Sequence, residues 1–157
     1  MKPIRVVWGT GTGPTALAAR DAAFAAANVH QYNLSLLSSV IPADASIESV
    51  GTAPDLGPVG GQLDVVAAVA TAAEGPASAV LVWTRRGDGA GVFYESDGTA
   101  PVESVRDRAM TGIQSGVDLR EGTYGEIETQ AATIDATESA FGAAAVFAVY
   151  GSAQSLL

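Results

Sequence analysis

Tyr32-Asn33-Leu34-Ser35-Leu36-Leu37-Ser38-Ser39-Val40-Ile41-Pro42 carries an apolar run into a serine pair, with a proline closing the segment. From Val29 to Leu37 the apolar residues become nearly continuous, the pattern of a strand covered on both faces. Upstream, Ile4-Arg5-Val6-Val7-Trp8 is a β-branched run, predicted to end as a strand where Gly9-Thr10-Gly11-Thr12-Gly13-Pro14 breaks it. Pro14 suits the first position of a helix with Thr12 or Gly13 as cap, and the alanine-rich segment from Thr15 to Asn28 reads as helix. Within it Leu17, Asp21, Phe24 and Asn28 share a stripe, which predicts that the Asp21 carboxylate lies on the apolar face and needs a partner.

Downstream, residues 42–61 are rich in Pro, Gly, Asp and Ser around a short strand at Ser46 to Val50 and read mainly as surface loop. Leu63 to Ala70 is open between strand and helix, with β-branching favouring strand. Ala79 to Thr84 and Gly91 to Ser96 form a hairpin across Arg85-Arg86-Gly87-Asp88-Gly89, where two glycines and an aspartate supply turn chemistry. Pro101 to Asp118 reads as a second helix, opened by Thr99 or Ala100, with Val102, Val105, Ala109 and Ile113 on one face. Tyr124 to Ile134 alternates as a half-buried strand, and Ala143 to Tyr150 is a final buried one. Two helices so far apart in sequence give no regular βαβ alternation, so the expected class is α+β in a single domain spanning 1–157.

The composition narrows the function classes. With 17 acidic and 8 basic residues the net charge is −9, and Lys2 is the sole lysine, so nucleic acid is excluded as an expected partner. The acids are dispersed among Ala, Gly, Thr and Val. That distribution reads as a salt-adapted archaeal surface, in which screening offsets carboxylate repulsion, with a mesophilic acidic protein as the alternative. The chain has no cysteine and one histidine, His30, so no thiolate centre or Cys nucleophile is available, and no metal site is expected. Neither a basic-apolar leader at Met1-Lys2-Pro3-Ile4 nor a run of about 20 apolar residues is present, so the expectation is a cytoplasmic protein without a membrane partner. The glycines at 9, 11 and 13 lack dinucleotide-fingerprint spacing, and no lysine follows them as in a phosphate loop. Gly112-Ile113-Gln114-Ser115-Gly116 misses the spacing of a nucleophile elbow.

The serine pair points to a cofactor made from the chain itself. Asn33-Leu34, further apolar residues, then Ser38-Ser39-Val40-Ile41-Pro42 resemble the self-cleavage site of pyruvoyl-dependent arginine decarboxylases. The resemblance extends from about Ile4 to Tyr150, since Asp21 lies 18 residues before Ser39 and Glu95 lies 56 after it, the spacings that family has for its substrate-binding Asp and catalytic Glu. It implies a four-layer αββα sandwich and self-cleavage between Ser38 and Ser39 into residues 1–38 and 39–157. Ser39 would attack the carbonyl carbon of Ser38, and elimination and hydrolysis would leave a pyruvoyl group on residue 39 as the cofactor, without pyridoxal phosphate or metal. The substrate's α-amine would form a Schiff base there and lose carbon dioxide, converting arginine to agmatine for polyamine biosynthesis.

The resemblance also assigns roles. Glu95 is the general acid, and its flanking Val92-Phe93-Tyr94 would desolvate a carboxyl and favour its protonated form; residue patterning alone does not rank it above Asp88 or Asp97. Asn33 supports the developing oxyanion, yet six residues at about 3.3 Å each separate it from Ser39 by roughly 20 Å along a straight strand. Either the chain bends between Ser35 and Ser38, or Asn33 serves a neighbouring subunit. Asp21 binds the substrate guanidinium, with Leu17 and Val40 beside it; an ion pair with Arg20 or another subunit's arginine is the alternative. Homotrimers or hexamers with shared sites are implied. Asn28 and His30 stand where glycines are expected, which would narrow the pocket or replace a backbone contact. A decarboxylase of another amino acid such as histidine, or an unprocessed small-ligand binding relative, are the competing readings.

Overall fold

The computed structural model describes residues 3–157; Lys2 and the start of the N-terminal segment lie outside them. The described residues form one α+β domain with two sheets and two helices. The five-stranded sheet contains β1 (Ile4–Gly13), β2 (Asn33–Leu36), β4 (Ile47–Gly51), β5 (Gln62–Ala72) and β9 (Phe141–Tyr150), in the order β2-β5-β9-β1-β4. The four-stranded sheet contains β3 (Val40–Ile41), β6 (Gly75–Arg85), β7 (Gly91–Gly98) and β8 (Glu128–Ala136), in the order β3-β7-β6-β8. Helices α1 (Ala16–Ala27) and α2 (Val102–Asp118) complete the set.

Burial divides into three principal clusters. Val6, Val66, Ala144 and Val146 of the first sheet pack with Ala79, Leu81, Trp83 and Phe93 of the second. Ala19, Ala23 and Ala27 of α1 pack on Val7, Val65, Phe147 and Val149 of the five-stranded sheet. Val105, Ala109 and Ile113 of α2 pack on Val80, Val82 and Val92 of the four-stranded sheet. The apolar face predicted for α2 is therefore the buried one.

Four expectations need correction. The glycine run does not end β1, which continues through Gly13 and pairs with β9 residue by residue from Ile4↔Tyr150 to Gly13↔Phe141. Gly9, Gly11 and Gly13 fall on one face of the strand, and a Cβ built at Gly11 would stand 2.5 Å from both Ala22 Cβ and Ala23 N. Glycine is needed because the helix backbone lies directly on the strand. The cap of α1 is Thr15, whose hydroxyl accepts a hydrogen bond from Ala18 N at 3.0 Å. The buried face of α1 is the alanine stripe at 19, 23 and 27, while Leu17 is 75% exposed and Asp21 is exposed. A bare glycine strand admits only methyl-sized side chains, so the larger residues turn outward.

The second predicted strand is shorter than expected. Val29 to Tyr32 is turn, and β2 pairs only with β5, in parallel, at the edge of its sheet. Leu36 is accordingly 74% exposed rather than covered on both faces. The segment 63–70 is strand within β5, and the 85–89 hairpin turn is present, with Arg86 and Asp88 paired at 2.9 Å.

Candidate active site

The chain leaves the five-stranded sheet after β2 and enters the four-stranded sheet at β3, so Ser38 and Ser39 sit on the crossover. Among the described residues only Asn28 and Ser39 are non-glycine residues with positive φ, 61° and 71°. For a residue with a Cβ this left-handed conformation costs about 1 kcal/mol. At Asn28 it is a helix C-cap, where asparagine is tolerated, and its side chain donates to Ala53 O at 2.9 Å. That engagement explains how asparagine replaces the expected glycine. His30 is exposed.

Pairing fixes what Ser39 meets. Val40 lies opposite Val92 in the antiparallel β3–β7 pair, and the Ser39 carbonyl accepts a hydrogen bond from Phe93 N at 2.8 Å. Two residues further along β7, on the same face as Phe93, Glu95 Oε2 accepts a hydrogen bond from Ser39 Oγ at 3.2 Å. Tyr94 points the other way, into a groove of α2 where Gly112 and Gly116 leave room for its ring. Tyr150 of β9 donates its hydroxyl to Val40 O at 2.8 Å, which ties the residue after Ser39 to the opposite sheet. Burial pushes that hydroxyl from 10.0 up to about 12. Ser38, Ser39, Val92, Phe93, Tyr94, Glu95 and Arg120 line a cleft of about 340 Å³.

Of the residues selected from sequence, one chain thus joins Ser38, Ser39 and Glu95, with Val40 following. Glu95 is itself exposed although Val92 and Phe93 are buried, so within a single chain its apolar neighbours do not desolvate it. Asp97 is separate, accepting from Val69 N at 3.3 Å, and Asp88 is held in the hairpin by Arg86. Asn33 is not at Ser39. Its amide donates to Gly60 O at 2.8 Å, and it lines another cavity with residues 58–61 and the C-terminal residues 155–157. Asp21 and Leu17 do not line the Ser39 cleft. Arg20 lies over the Phe24 ring, 5.0 Å from its centroid, and makes no ion pair with Asp21.

Two residues escaped the sequence reading. Arg120 follows α2 with no motif around it, and its only signal is that it is one of few cations in an acidic chain. Tyr150 reads from sequence only as the end of a buried strand, and its long-range bond to Val40 has no local signature. Among the described residues no group of three or more His, Asp or Glu is disposed to hold a metal ion, and no helix is long and apolar enough to cross a membrane.

The family model for pyruvoyl-dependent arginine decarboxylase matches residues 3–155. The chain is 50% identical over 154 residues to proteins named pyruvoyl-dependent arginine decarboxylase from two Halobacterium salinarum strains, covering 96% of this chain and 95% of each relative. It is 34% identical over 148 residues to a protein of the same name from Methanopyrus kandleri, covering 94% of this chain and 95% of that relative.

Proposed function

The chain belongs to the pyruvoyl-dependent arginine decarboxylase family, and we propose that Ser39 is the source of its cofactor and that Asp21 and Glu95 serve the substrate. The enzyme decarboxylates L-arginine to agmatine and carbon dioxide, and it depends on a pyruvoyl group. That group would supply a ketone to take the substrate's α-amine and to hold the electron pair that departing carbon dioxide leaves on the substrate. The observation that carries the assignment to Ser39 is its strained backbone together with the Oγ–Glu95 hydrogen bond.

In the precursor, Ser39 Oγ attacks the Ser38 carbonyl carbon. The new C–O bond forms as the Ser38–Ser39 C–N bond breaks, so the amide becomes an ester. Glu95 Oε2 already accepts the hydroxyl hydrogen bond and is placed to take the proton, acting as general base. Elimination removes the α-proton of residue 39 and breaks its Cβ–O bond, freeing residues 1–38 as a carboxylate, and water then hydrolyses the resulting enamine to a ketone and ammonia, leaving a pyruvoyl-headed 39–157. The residues present fit such a group. The Phe93 N–H and Tyr150 hydroxyl hold the backbone on either side of Val40, so the new chain end stays beside Glu95 once its covalent link to Ser38 is gone. During turnover Glu95 gives a proton to the substrate carbon that carbon dioxide has left.

A single chain does not bring Asp21 or Asn33 to Ser39, and Leu17, Leu36, Leu37 and Val40 are exposed apolar residues. We therefore assign the active assembly as a homotrimer or hexamer whose interfaces cover these residues. Asp21 then meets the substrate guanidinium and Asn33 the oxyanion at a neighbouring protomer's Ser39. The three clusters of buried residues support the layering α1, five-stranded sheet, four-stranded sheet, α2, the four-layer αββα sandwich. An enzyme acting on a free amino acid belongs in the cytoplasm, and the acidic surface suits a salt-rich one.

The test is carbon dioxide release from arginine by cleaved samples. Asp21→Asn should raise KM with kcat little changed, since the amide keeps the shape and forfeits the charge-assisted pair. Glu95→Gln should slow self-cleavage, and in the fraction that does cleave it should lower kcat by about 100-fold or more. Wild-type KM for Asp21→Asn would remove the guanidinium assignment, and wild-type kcat for Glu95→Gln would remove the general acid.

A further inference from the structure

The cleft at Ser39 is lined by one carboxylate, Glu95, and one cation, Arg120. Arg120 sits just past the C-terminal end of α2, half-buried, its backbone N–H bonded to Val117 O at 3.0 Å and its Nη1 donating to Gly116 O at 2.7 Å. These bonds fix the guanidinium from one side. Among the described residues no carboxylate pairs with it. It lines the Ser39 cleft and also the adjoining cavity of about 370 Å³ that contains Val40 and Tyr124. The other arginine in that second cavity, Arg86, is committed to Asp88 and to Glu121 O.

Resting on the decarboxylase reading, we propose that Arg120 receives the α-carboxylate of the substrate and so determines which end of the amino acid enters the cleft. The substrate carries one anionic group, its α-carboxylate, next to the amine that must reach residue 39. A guanidinium lining the cleft of Ser39 matches that carboxylate with planar, charge-assisted bonds and repels the substrate's own guanidinium. The interaction belongs to the bound substrate. It fades as the carboxylate becomes neutral carbon dioxide, and it is absent in agmatine, whose remaining charges are positive. Arg120 is therefore a specificity-determining residue that lowers KM without raising kcat and that disfavours retention of the cationic product.

The experiment compares wild type, Arg120→Gln and Arg120→Lys, each confirmed as cleaved by intact mass, for KM and kcat on arginine and for the inhibition constant of agmatine. Losing a hydrogen bond to a charged group predicts a KM about 10- to 100-fold higher in Arg120→Gln, with kcat unchanged or raised, agmatine inhibition as strong or stronger, and partial recovery in Arg120→Lys. Three results would overturn the proposal: KM within about twofold of wild type, equal weakening of arginine and agmatine as a distorted cleft would give, or failure of both variants to cleave. Cleaved wild type that releases no carbon dioxide from arginine would instead contradict the decarboxylase reading. In that case calorimetric binding of arginine and agmatine to the same samples tests Arg120 on its own, with the arginine preference expected to fall by the same factor and an unchanged preference refuting it.

Discussion

Gly11→Ala tests why the chain opens with alternating glycines. The new methyl would project from β1 into α1, 2.5 Å from Ala22 Cβ and from Ala23 N, where ordinary contact begins at 3.4 Å. The helix must retreat by about 1 Å, and because the obstacle is its backbone no rotamer change relieves the overlap. Overpacking of this kind costs about 1–3 kcal/mol, against a gain of about 0.4–1 kcal/mol from the stiffer unfolded chain. A net loss of about 1–2 kcal/mol corresponds to a thermal midpoint lowered by roughly 2–8 °C in a domain of this size. Calorimetry in molar potassium chloride measures it, with Gly87→Ala as the control, since nothing lies within 4 Å of a Cβ there and its φ is not positive. A midpoint for Gly11→Ala equal to or above wild type, with Gly87→Ala unchanged, would refute the close helix–strand contact.

Two further predictions concern charge. Tyr150 titrates near 10 when unfolded and is pushed up to about 12 by burial in the folded chain, so the unfolded state releases its proton first. The stability it confers is complete below about pH 10 and falls as pH rises from about 10 to about 12; Tyr150→Phe should flatten that limb in unfolding curves measured across the range, and an unchanged limb would remove the attribution. Stability should rise with salt, because a net charge of −9 is screened while only one ion pair, Arg86–Asp88, is present among the described residues. Thermal midpoints that are flat or fall from dilute buffer to molar potassium chloride would contradict salt adaptation.

The elements were legible where a local pattern carries its own meaning. The 85–89 turn and the apolar stripe of α2 are of this kind. The Ser39–Glu95 pair was reached through a resemblance in spacing, and antiparallel pairing of β3 with β7 is the physical basis of that spacing. The glycines of β1 were misread because a glycine marks a turn or a close backbone approach equally well. Only the tertiary partner, here α1, decides between them. Asp21 was misplaced for the related reason that an alanine-rich helix offers two plausible faces, and a glycine strand selects the smaller residues. Asn33 follows the limit set by strand rise, since the bend comes at Ser39, after the residues that would have had to fold back. Arg120 depends on where the end of α2 falls relative to β7, which no local pattern encodes.

The mass of the purified protein under denaturing conditions tests whether this chain builds its own cofactor. The account predicts two fragments, residues 1–38 and 39–157, the larger blocked at its new terminus by a ketone, and a single uncleaved, inactive chain for Ser39→Ala. An intact wild-type chain after prolonged incubation in high salt, or cleavage that persists in Ser39→Ala, would contradict it.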